Sequence, residues 1–145
     1  MNIHALVVDD SGIMRKMVMR SLRDAELAQF VFTEATDGLD ALGKFDPNTM
    51  DMIFVDWNMP NMNGIDFVRE VQALEQRHVP IVMITTEGTC GKIDEAMSEV
   101  KVDKYIAKPF TVEELKKKLE PIFDQIAASR QESKGFFTKL ADKLG

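Results

Sequence analysis

The residues best suited to chemistry are acidic side chains that directly follow short apolar runs. Asp9 and Asp10 follow the first run, and Asp56 follows the third. Clustered carboxylates repel one another, which raises at least one pKa and costs stability unless a cation intervenes. A hard divalent cation with oxygen ligands, Mg²⁺ above all, offsets that repulsion. The three aspartates therefore predict a metal site, provided that the fold brings them together.

Two further apolar runs end in groups that suit a phosphoryl group. Thr85 and Thr86 end the fourth run, and Lys108, followed by Pro109, ends the fifth. A lysine ammonium is a point charge suited to a phosphoryl oxygen, and a threonine hydroxyl can bond a second oxygen. Each group alone is weak evidence, because threonine is common in strands and Lys-Pro in loops. Together with the carboxylates they indicate phosphoryl transfer to an aspartate, where positioning and charge neutralisation supply most of the catalysis.

The elements that must position these residues alternate along the chain. Apolar runs predict five strands, at residues 3–8, 30–33, 52–55, 81–84 and 105–107. Their near-continuous apolar character is expected of strands covered on both faces. Five βα units in this order imply right-handed crossovers and a parallel sheet, with ligands outside the carboxyl ends of the strands. The sequence thus predicts a doubly wound α/β fold with its site at one edge of the sheet.

Amphipathic spacing predicts a helix after each strand. Ser11 is a candidate N-cap for the first helix, and Thr111 with Glu114 forms a capping box for the fifth. Gly64 opens the third helix, and Pro121 is expected to kink the fifth. The residues predicted to face the core are, helix by helix, Met14, Met17, Val18 and Leu22; Leu39, Leu42 and Phe45; Ile65, Val68 and Val71; Ile93, Met97 and Val100; and Leu115, Leu119, Ile122 and Ile126.

Composition limits the function classes. The 145 residues, 45% of them hydrophobic, suit one globular domain, and no apolar run approaches the roughly 18 residues needed to span a bilayer. Cys90 is the only cysteine, which excludes intrachain disulfides and thiolate metal sites. The net charge of −6 argues against broad nucleic-acid binding. The N-terminus lacks the pattern of a secretory signal, so a cytoplasmic protein is expected.

The C-terminal residues differ from the rest in composition. Residues 129–145 carry four basic and two acidic side chains, net +2, which leaves −8 on residues 1–128. We therefore predict a domain at residues 1–128 and an appendage at 129–145, a polar linker followed by a basic, amphipathic tail, helical or flexible. The side chains that would line one face of a tail helix are Phe136, Phe137, Leu140, Ala141 and Leu144. Such a tail can dock on a partner, on its own domain or, least expected, on a membrane, or it can simply aid solubility.

Four segments of the chain carry a family resemblance: VVDD, DWNMPNMNG around Asp56, ITTEG and YIAKPF. They resemble the bacterial response-regulator receiver family of two-component systems, and within it the chemotaxis regulators of the CheY type. The resemblance covers roughly residues 3–127 and does not extend to the tail. It implies a flavodoxin-like (βα)5 sandwich with a parallel five-stranded sheet in the order 2-1-3-4-5, for which CheY is a standard example.

The resemblance also implies roles for individual residues. Asp56 resembles the phosphoacceptor, and Asp10 and Asp56 would bind Mg²⁺ through their carboxylates. Asn58 would bind the ion through its backbone carbonyl, and Asp9 would act through a coordinated water. Lys108 resembles the lysine that contacts the phosphate.

Further implied roles concern the response to phosphorylation. Thr85 resembles the switch hydroxyl, and Tyr105 resembles the aromatic residue whose ring turns inward on activation. Asn58 and Glu87 match the family residues that flank the path of the attacking water, which implies a fairly short-lived phosphoryl group. Thr86 is larger than the alanine that CheY has at this position and would crowd that path, so the phosphoryl lifetime stays open. Glycines near the start of the fourth helix predict a mobile loop over residues 87–92.

The implied function is a switch that promotes only its own phosphoryl transfer and dephosphorylation, and is not otherwise an enzyme. A sensor histidine kinase is the implied donor, and a target such as a flagellar motor switch component receives the signal through protein contacts. A phosphatase is a further candidate partner, and no nucleic-acid partner is expected.

Three alternatives to this function remain open. The chain can be a phosphate sink or phosphorelay member, or an aspartyl-phosphate-forming phosphatase. Against the phosphatase, Asn58 stands where such enzymes have a second aspartate. A flavin-binding domain of similar topology would leave the acid pair, Asp56 and Lys108 unexplained.

Overall fold

A single parallel sheet organises the molecule. The computed structural model describes residues 1–74, 77–86 and 100–144. Its strands are β1 (Asn2–Val8), β2 (Gln29–Ala35), β3 (Met52–Val55), β4 (Ile81–Thr86) and β5 (Lys104–Lys108). They pair in the order β2-β1-β3-β4-β5, and every pairing is parallel. The predicted strands and the order implied by the resemblance are therefore confirmed.

The helices are α1 (Gly12–Asp24), α2 (Gly38–Lys44), α3 (Gly64–Leu74) and a long C-terminal helix (Val112–Leu144). Both predicted N-terminal caps form, since the hydroxyl of Ser11 accepts the N–H of Met14 at 3.2 Å and the hydroxyl of Thr111 accepts that of Glu114 at 3.1 Å. Predictions for the fourth helix before Val100, and for a mobile loop at 87–92, lie outside the described residues. None of the helices in the described ranges combines the length and apolar composition needed to cross a bilayer.

The sheet separates two apolar layers. Along β1, Leu6 and Val8 face the layer that contains α2 and α3, whereas Ala5 and Val7 face the layer of α1 and the C-terminal helix. Every residue of β3 is buried, as its apolar run predicts. The expectation of full coverage is wrong for the edge strand β2, where Val31 is 64% exposed, because only one neighbouring strand and part of one layer cover it.

Within the described ranges, two residues predicted to face the core are instead exposed. Met17 of α1 is 46% exposed and Leu39 of α2 is 55% exposed. In α1 the buried positions are Val18, Met19 and Leu22, so Val18 and Leu22 pack as predicted, whereas Met19 is buried in place of Met17. At about 100° per residue, the centre of the packed face is rotated by roughly 70° from the predicted one, which is enough to turn Met17 to solvent.

The C-terminal helix extends well past the sheet. It continues through Pro121 and through residues 129–135, and its 33 residues span about 50 Å. Its first half buries Leu115, Leu119, Ile122 and Phe123, whereas every described residue from 128 onward is exposed. The division of the chain after residue 128 stays a prediction, and the part predicted as a linker is helical.

Candidate functional site

The ends of β1 and β3 bring three carboxylates together. The two strands are neighbours in register, with Val8 opposite Val55, so the residues that follow them emerge side by side. The backbone N–H of Asp56 donates to the carbonyl of Val8 at 3.0 Å, which fixes the start of the loop after β3. Carboxylate oxygens of Asp9, Asp10 and Asp56 all lie within 4.8 Å of one another. The predicted acidic cluster therefore forms.

Lys108 reaches this cluster from the end of β5. Its Nζ lies 3.4 Å from Oδ2 of Asp9 and 3.7 Å from Oδ1 of Asp56, and its side chain is only 13% exposed. Among the described residues, Lys108 is the ammonium that contacts this group of three carboxylates, so the described part of the cluster carries an excess of negative charge. The peptide bond between Lys108 and Pro109 is cis.

Burial and mutual repulsion act on the protonation of two of these aspartates. The pKa of Asp56 is raised to about 6, mainly by burial and also by the charge on Asp9, whereas Lys108 acts in the opposite direction. Burial also raises the pKa of Asp9, against the effects of the Ser11 N–H and of Lys108. Oxygen ligands with unbalanced negative charge are the donor set that a hard divalent cation such as Mg²⁺ prefers. The residues present therefore fit such an ion.

Gly64 lets the chain pass close behind Asp56. Its N–H donates to the carbonyl of Trp57 at 2.9 Å, and a Cβ at this position would lie 2.3 Å from the carbonyl oxygen of Asp56. No side chain fits at that distance, so the loop between β3 and α3 requires glycine here. The sequence marks Gly64 only as the start of a helix, since its contact with Asp56 depends on how the loop folds back.

A second contact holds the same loop against α2. Asn61 adopts a left-handed conformation (φ 66°), and its side-chain amide donates to Asp37 at 2.8 Å. Asp37 in turn caps α2 by accepting the N–H of Asp40. Asparagine tolerates this backbone region better than most residues, which is the one sequence signal for the position.

Arg15 supports the other side of the cluster, and sequence reasoning missed it. Its guanidinium donates to the backbone carbonyl of Asp9 at 2.7 Å and pairs with Glu34 at 3.0 Å. Arg15 lies on the first turns of α1, so a basic residue a few positions after the acid pair was the available signal.

The remaining predicted residues that the structure describes lie on β4, on β5 and in the loop after β3. Thr85 is fully buried near the end of β4, and Thr86 after it is exposed. Tyr105 on β5 is half-buried against the core layer of α2 and α3, with the ammonium of Lys118 6.0 Å from the centre of its ring. Asn58 is exposed in the loop after Asp56. The roles implied for Thr85, Tyr105 and Asn58 stay predictions, and Glu87 lies outside the described residues.

Comparison with known proteins identifies the family. The response regulator receiver domain profile matches residues 5–120. The chain belongs to this family. It is 41% identical over 126 residues to chemotaxis protein CheY-3 of Vibrio cholerae, an alignment that covers 86% of this chain and 95% of the relative. Two-component signalling is the context of this family.

Solved receiver structures share the fold. The chemotaxis protein CheY4 of Vibrio cholerae superposes with a TM-score of 0.69 at 34% identity, covering 83% of this chain and 98% of the other. The receiver domain of a sensor histidine kinase from Pseudomonas aeruginosa, described with a magnesium ion coordinated in its active-site cleft, has a TM-score of 0.71 at 24% identity. That alignment covers 86% of this chain and 99% of the neighbour.

Proposed function

We propose that this chain is a cytoplasmic response regulator whose Asp56 accepts a phosphoryl group from a phosphohistidine of a sensor kinase, with Mg²⁺ bound in the acidic cleft. The observation that carries the proposal is the cluster of three carboxylates within 4.8 Å of one another, with Lys108 in contact with two of them. Asp9, Asp10 and Asp56, with the backbone carbonyl of Asn58, would hold the ion. A receiver domain of this fold from Pseudomonas aeruginosa has magnesium in its cleft, which is consistent with that assignment.

The chemistry assigned to Asp56 is nucleophilic attack on phosphorus. A bond forms between its carboxylate oxygen and phosphorus while the bond from phosphorus to the histidine nitrogen breaks, and the imidazole leaves after taking up a proton. Lys108, already 3.7 Å from Asp56, is placed to balance charge on a phosphoryl oxygen. The bound cation supplies further positive charge to the carboxylates and the phosphoryl oxygens. At neutral pH, a pKa of about 6 leaves Asp56 mostly ionised and therefore nucleophilic.

The signal passes from Asp56 to the surface through Thr85 and Tyr105. The buried hydroxyl of Thr85 would bond a phosphoryl oxygen and draw the end of β4 toward Asp56. Tyr105 lies on the adjacent strand β5, opposite Met83, and its half-buried ring would turn inward as β4 shifts. The affected surface, around β5 and the C-terminal helix, would bind the target protein.

The output assigned to this switch is chemotaxis, through a target such as a flagellar motor switch component. Support comes from relatives named as chemotaxis proteins in Vibrio cholerae and Pseudomonas aeruginosa, which match 95% or more of their own length to this chain. The domain at residues 1–128 would carry the switch, and residues 129–145 would be an appendage to it. The switch acts on itself only, so we assign it no external substrate.

Phosphate incorporation tests the proposal. Wild-type protein incubated with Mg²⁺ and a labelled small phosphodonor such as acetyl phosphate should incorporate phosphate, and incorporation should cease in Asp56→Asn or when EDTA removes the metal. Asp51→Asn, at the opposite end of the same strand, is the matched control and should incorporate phosphate as the wild type does. Retained incorporation in Asp56→Asn would show that the acceptor is wrong.

A further inference from the structure

The second half of the C-terminal helix carries a large exposed apolar face. Phe136, Phe137, Leu140 and Leu144 are 63%, 66%, 42% and 81% exposed. Phe137, Leu140 and Leu144 follow i, i+3, i+7 spacing, and the two phenylalanine rings contact each other edge to face at 5.8 Å. At about 100° per residue, these side chains and Ala141 occupy a sector of roughly 140°. We call residues 131–144 the tail helix, and this sector its apolar face.

This apolar face continues the face that packs against the sheet. Leu119, Phe123 and Ile126 precede Phe137 and Leu140 in the same helical register, and the helix is uninterrupted between them. Arg130 ties the helix to the body where the two halves meet, because its guanidinium donates to the carbonyl of Asn2 at 2.8 Å and pairs with Asp51 at 3.2 Å. The apolar face therefore points to the side of the helix on which the body of the domain lies.

That direction restricts what can cover the face. A flat bilayer laid along the apolar face would also meet the body of the domain, which lies on the same side. A single helix, about 10 Å across, fits beside the tail helix beyond the edge of the body. The occupant must therefore be narrow and apolar along one side, and it must be compatible with Lys134 and Lys143, which flank the two edges of the apolar face.

A second copy of the tail helix meets these conditions. In an antiparallel pair about a two-fold axis, Phe137 of each copy would pack on Leu140 of the other, and Leu144 on Ser133. The rim residues Lys134 and Lys143 each lie about 20° outside an edge of the apolar face. Antiparallel packing would set Lys143 of one copy against Phe136 of the other, and Lys134 against Ala141.

These rim contacts favour self-pairing. A lysine ammonium against a phenylalanine ring is attractive, and both lysine stems can cover apolar surface. No like charges oppose each other across the pair in this register. Residues 129–145 carry a net charge of +2, and residues 1–128 of the second copy carry −8. The overall charges of the tail and of the approaching copy are therefore complementary.

We infer that the tail helix is a self-association surface, which pairs antiparallel with the same helix of a second copy to form a two-fold dimer. The patch is smaller than the roughly 800 Å² per partner of a standard stable interface, so the dimer is weak and concentration-dependent. The pairing involves no residue of the acidic cluster, which lies at the opposite edge of the sheet. It is therefore independent of phosphorylation of Asp56.

Sedimentation equilibrium of the full chain from about 10 µM to about 1 mM, the range suited to a small interface, tests this inference. The wild type should pass from monomer to dimer. Leu140→Asp should raise the dimer dissociation constant at least about tenfold, because it places a charge in the centre of the paired face. Thr138→Asp adds the same charge to the same helix outside the apolar face and should leave the dissociation constant unchanged.

A second pair of variants tests the antiparallel orientation. Ala141→Glu should tighten the dimer by about two- to fivefold through Lys134 of the other copy, and Ala141→Lys should weaken it by a similar factor. Circular dichroism verifies that each variant keeps its helix content. A wild type that stays monomeric throughout, equal effects of Leu140→Asp and Thr138→Asp, or equal effects of Ala141→Glu and Ala141→Lys would each overturn the inference. Monomeric protein that binds anionic lipid vesicles through Leu140 would overturn it in favour of a membrane surface.

Discussion

The strand β3 has an aspartate at each end, and the two are held in opposite ways. Asp51, just before β3, accepts the backbone N–H of His4 at 2.8 Å and lies 3.2 Å from the guanidinium of Arg130 and 3.8 Å from that of Arg77. Asp56, just after β3, contacts Lys108, which also contacts Asp9, and its carboxylate lies within 4.8 Å of those of Asp9 and Asp10. One aspartate is satisfied by its neighbours and ties elements together, whereas the other is left with charge that a ligand can balance.

The contrast shows how this fold separates stability from function. At the amino edge of the sheet, opposite charges meet and fasten the C-terminal helix to the body. At the carboxyl edge, like charges are forced together by the register of β1 and β3, which costs stability in the metal-free protein. Such unfavourable crowding in a folded protein is typical of a functional site.

The largest expected effect comes from a side chain at Gly64, where the backbone passes close to the carbonyl of Asp56. Gly64→Ala should lower the free energy of unfolding by about 3–5 kcal/mol, because the added Cβ would overlap the carbonyl of Asp56 and the backbone must shift. Gly43→Ala is the matched control, since a Cβ there meets nothing within 4 Å and alanine should stabilise helix α2 by about 0.5–1 kcal/mol. Urea denaturation measures both. A Gly64→Ala protein as stable as the wild type would contradict the close approach.

The next largest effect is the pH dependence of the free energy of unfolding, which should differ between Asp56 and Asp51. The folded pKa of Asp56 is raised from 3.8 to about 6, so the metal-free folded state binds a proton more tightly than the unfolded state. The ionisation of Asp56 therefore lowers the free energy of unfolding at higher pH. This loss is absent below pH 3.8, grows between pH 3.8 and about 6, and above that levels off at no more than about 3 kcal/mol. With EDTA at pH 7, Asp56→Asn should therefore raise the free energy of unfolding by about 1–3 kcal/mol.

The same measurement on Asp51→Asn should give the opposite sign. That variant loses the charge that pairs with Arg77 and Arg130, so its free energy of unfolding should fall by about 1 kcal/mol. Urea denaturation between pH 4 and 8 resolves both effects, and the gain in Asp56→Asn should vanish toward pH 4. A loss of stability in Asp56→Asn at pH 7 would mean that the cluster is not strained.

The sequence was sufficient for the parts of the molecule that follow general rules. Parallel strands place their carboxyl ends at one edge, so Asp9, Asp10, Asp56 and Lys108 could be predicted to meet from their positions after apolar runs. The strands and the two caps, at Ser11 and Thr111, could be predicted because each of them depends on a local sequence pattern.

The parts that could not be predicted depend on contacts between distant segments. The need for glycine at position 64 and the support that Arg15 gives to Asp9 are set by how loops fold back. The exposure of Met17 shows that periodicity fixes an apolar face only to within about one residue. The network around Asp51 joins three elements that no local pattern connects.

Magnesium binding at the acidic cluster tests the central claim most directly. Trp57, the only tryptophan, adjoins Asp56, so its fluorescence should report the site. Titration of the wild type with Mg²⁺ should give a saturable change, and beryllofluoride should then give a further one. Asp10→Asn should weaken Mg²⁺ binding about tenfold or more, and Asp51→Asn should leave it unchanged. A wild type that shows no saturable response, or equal weakening by both variants, would contradict the account.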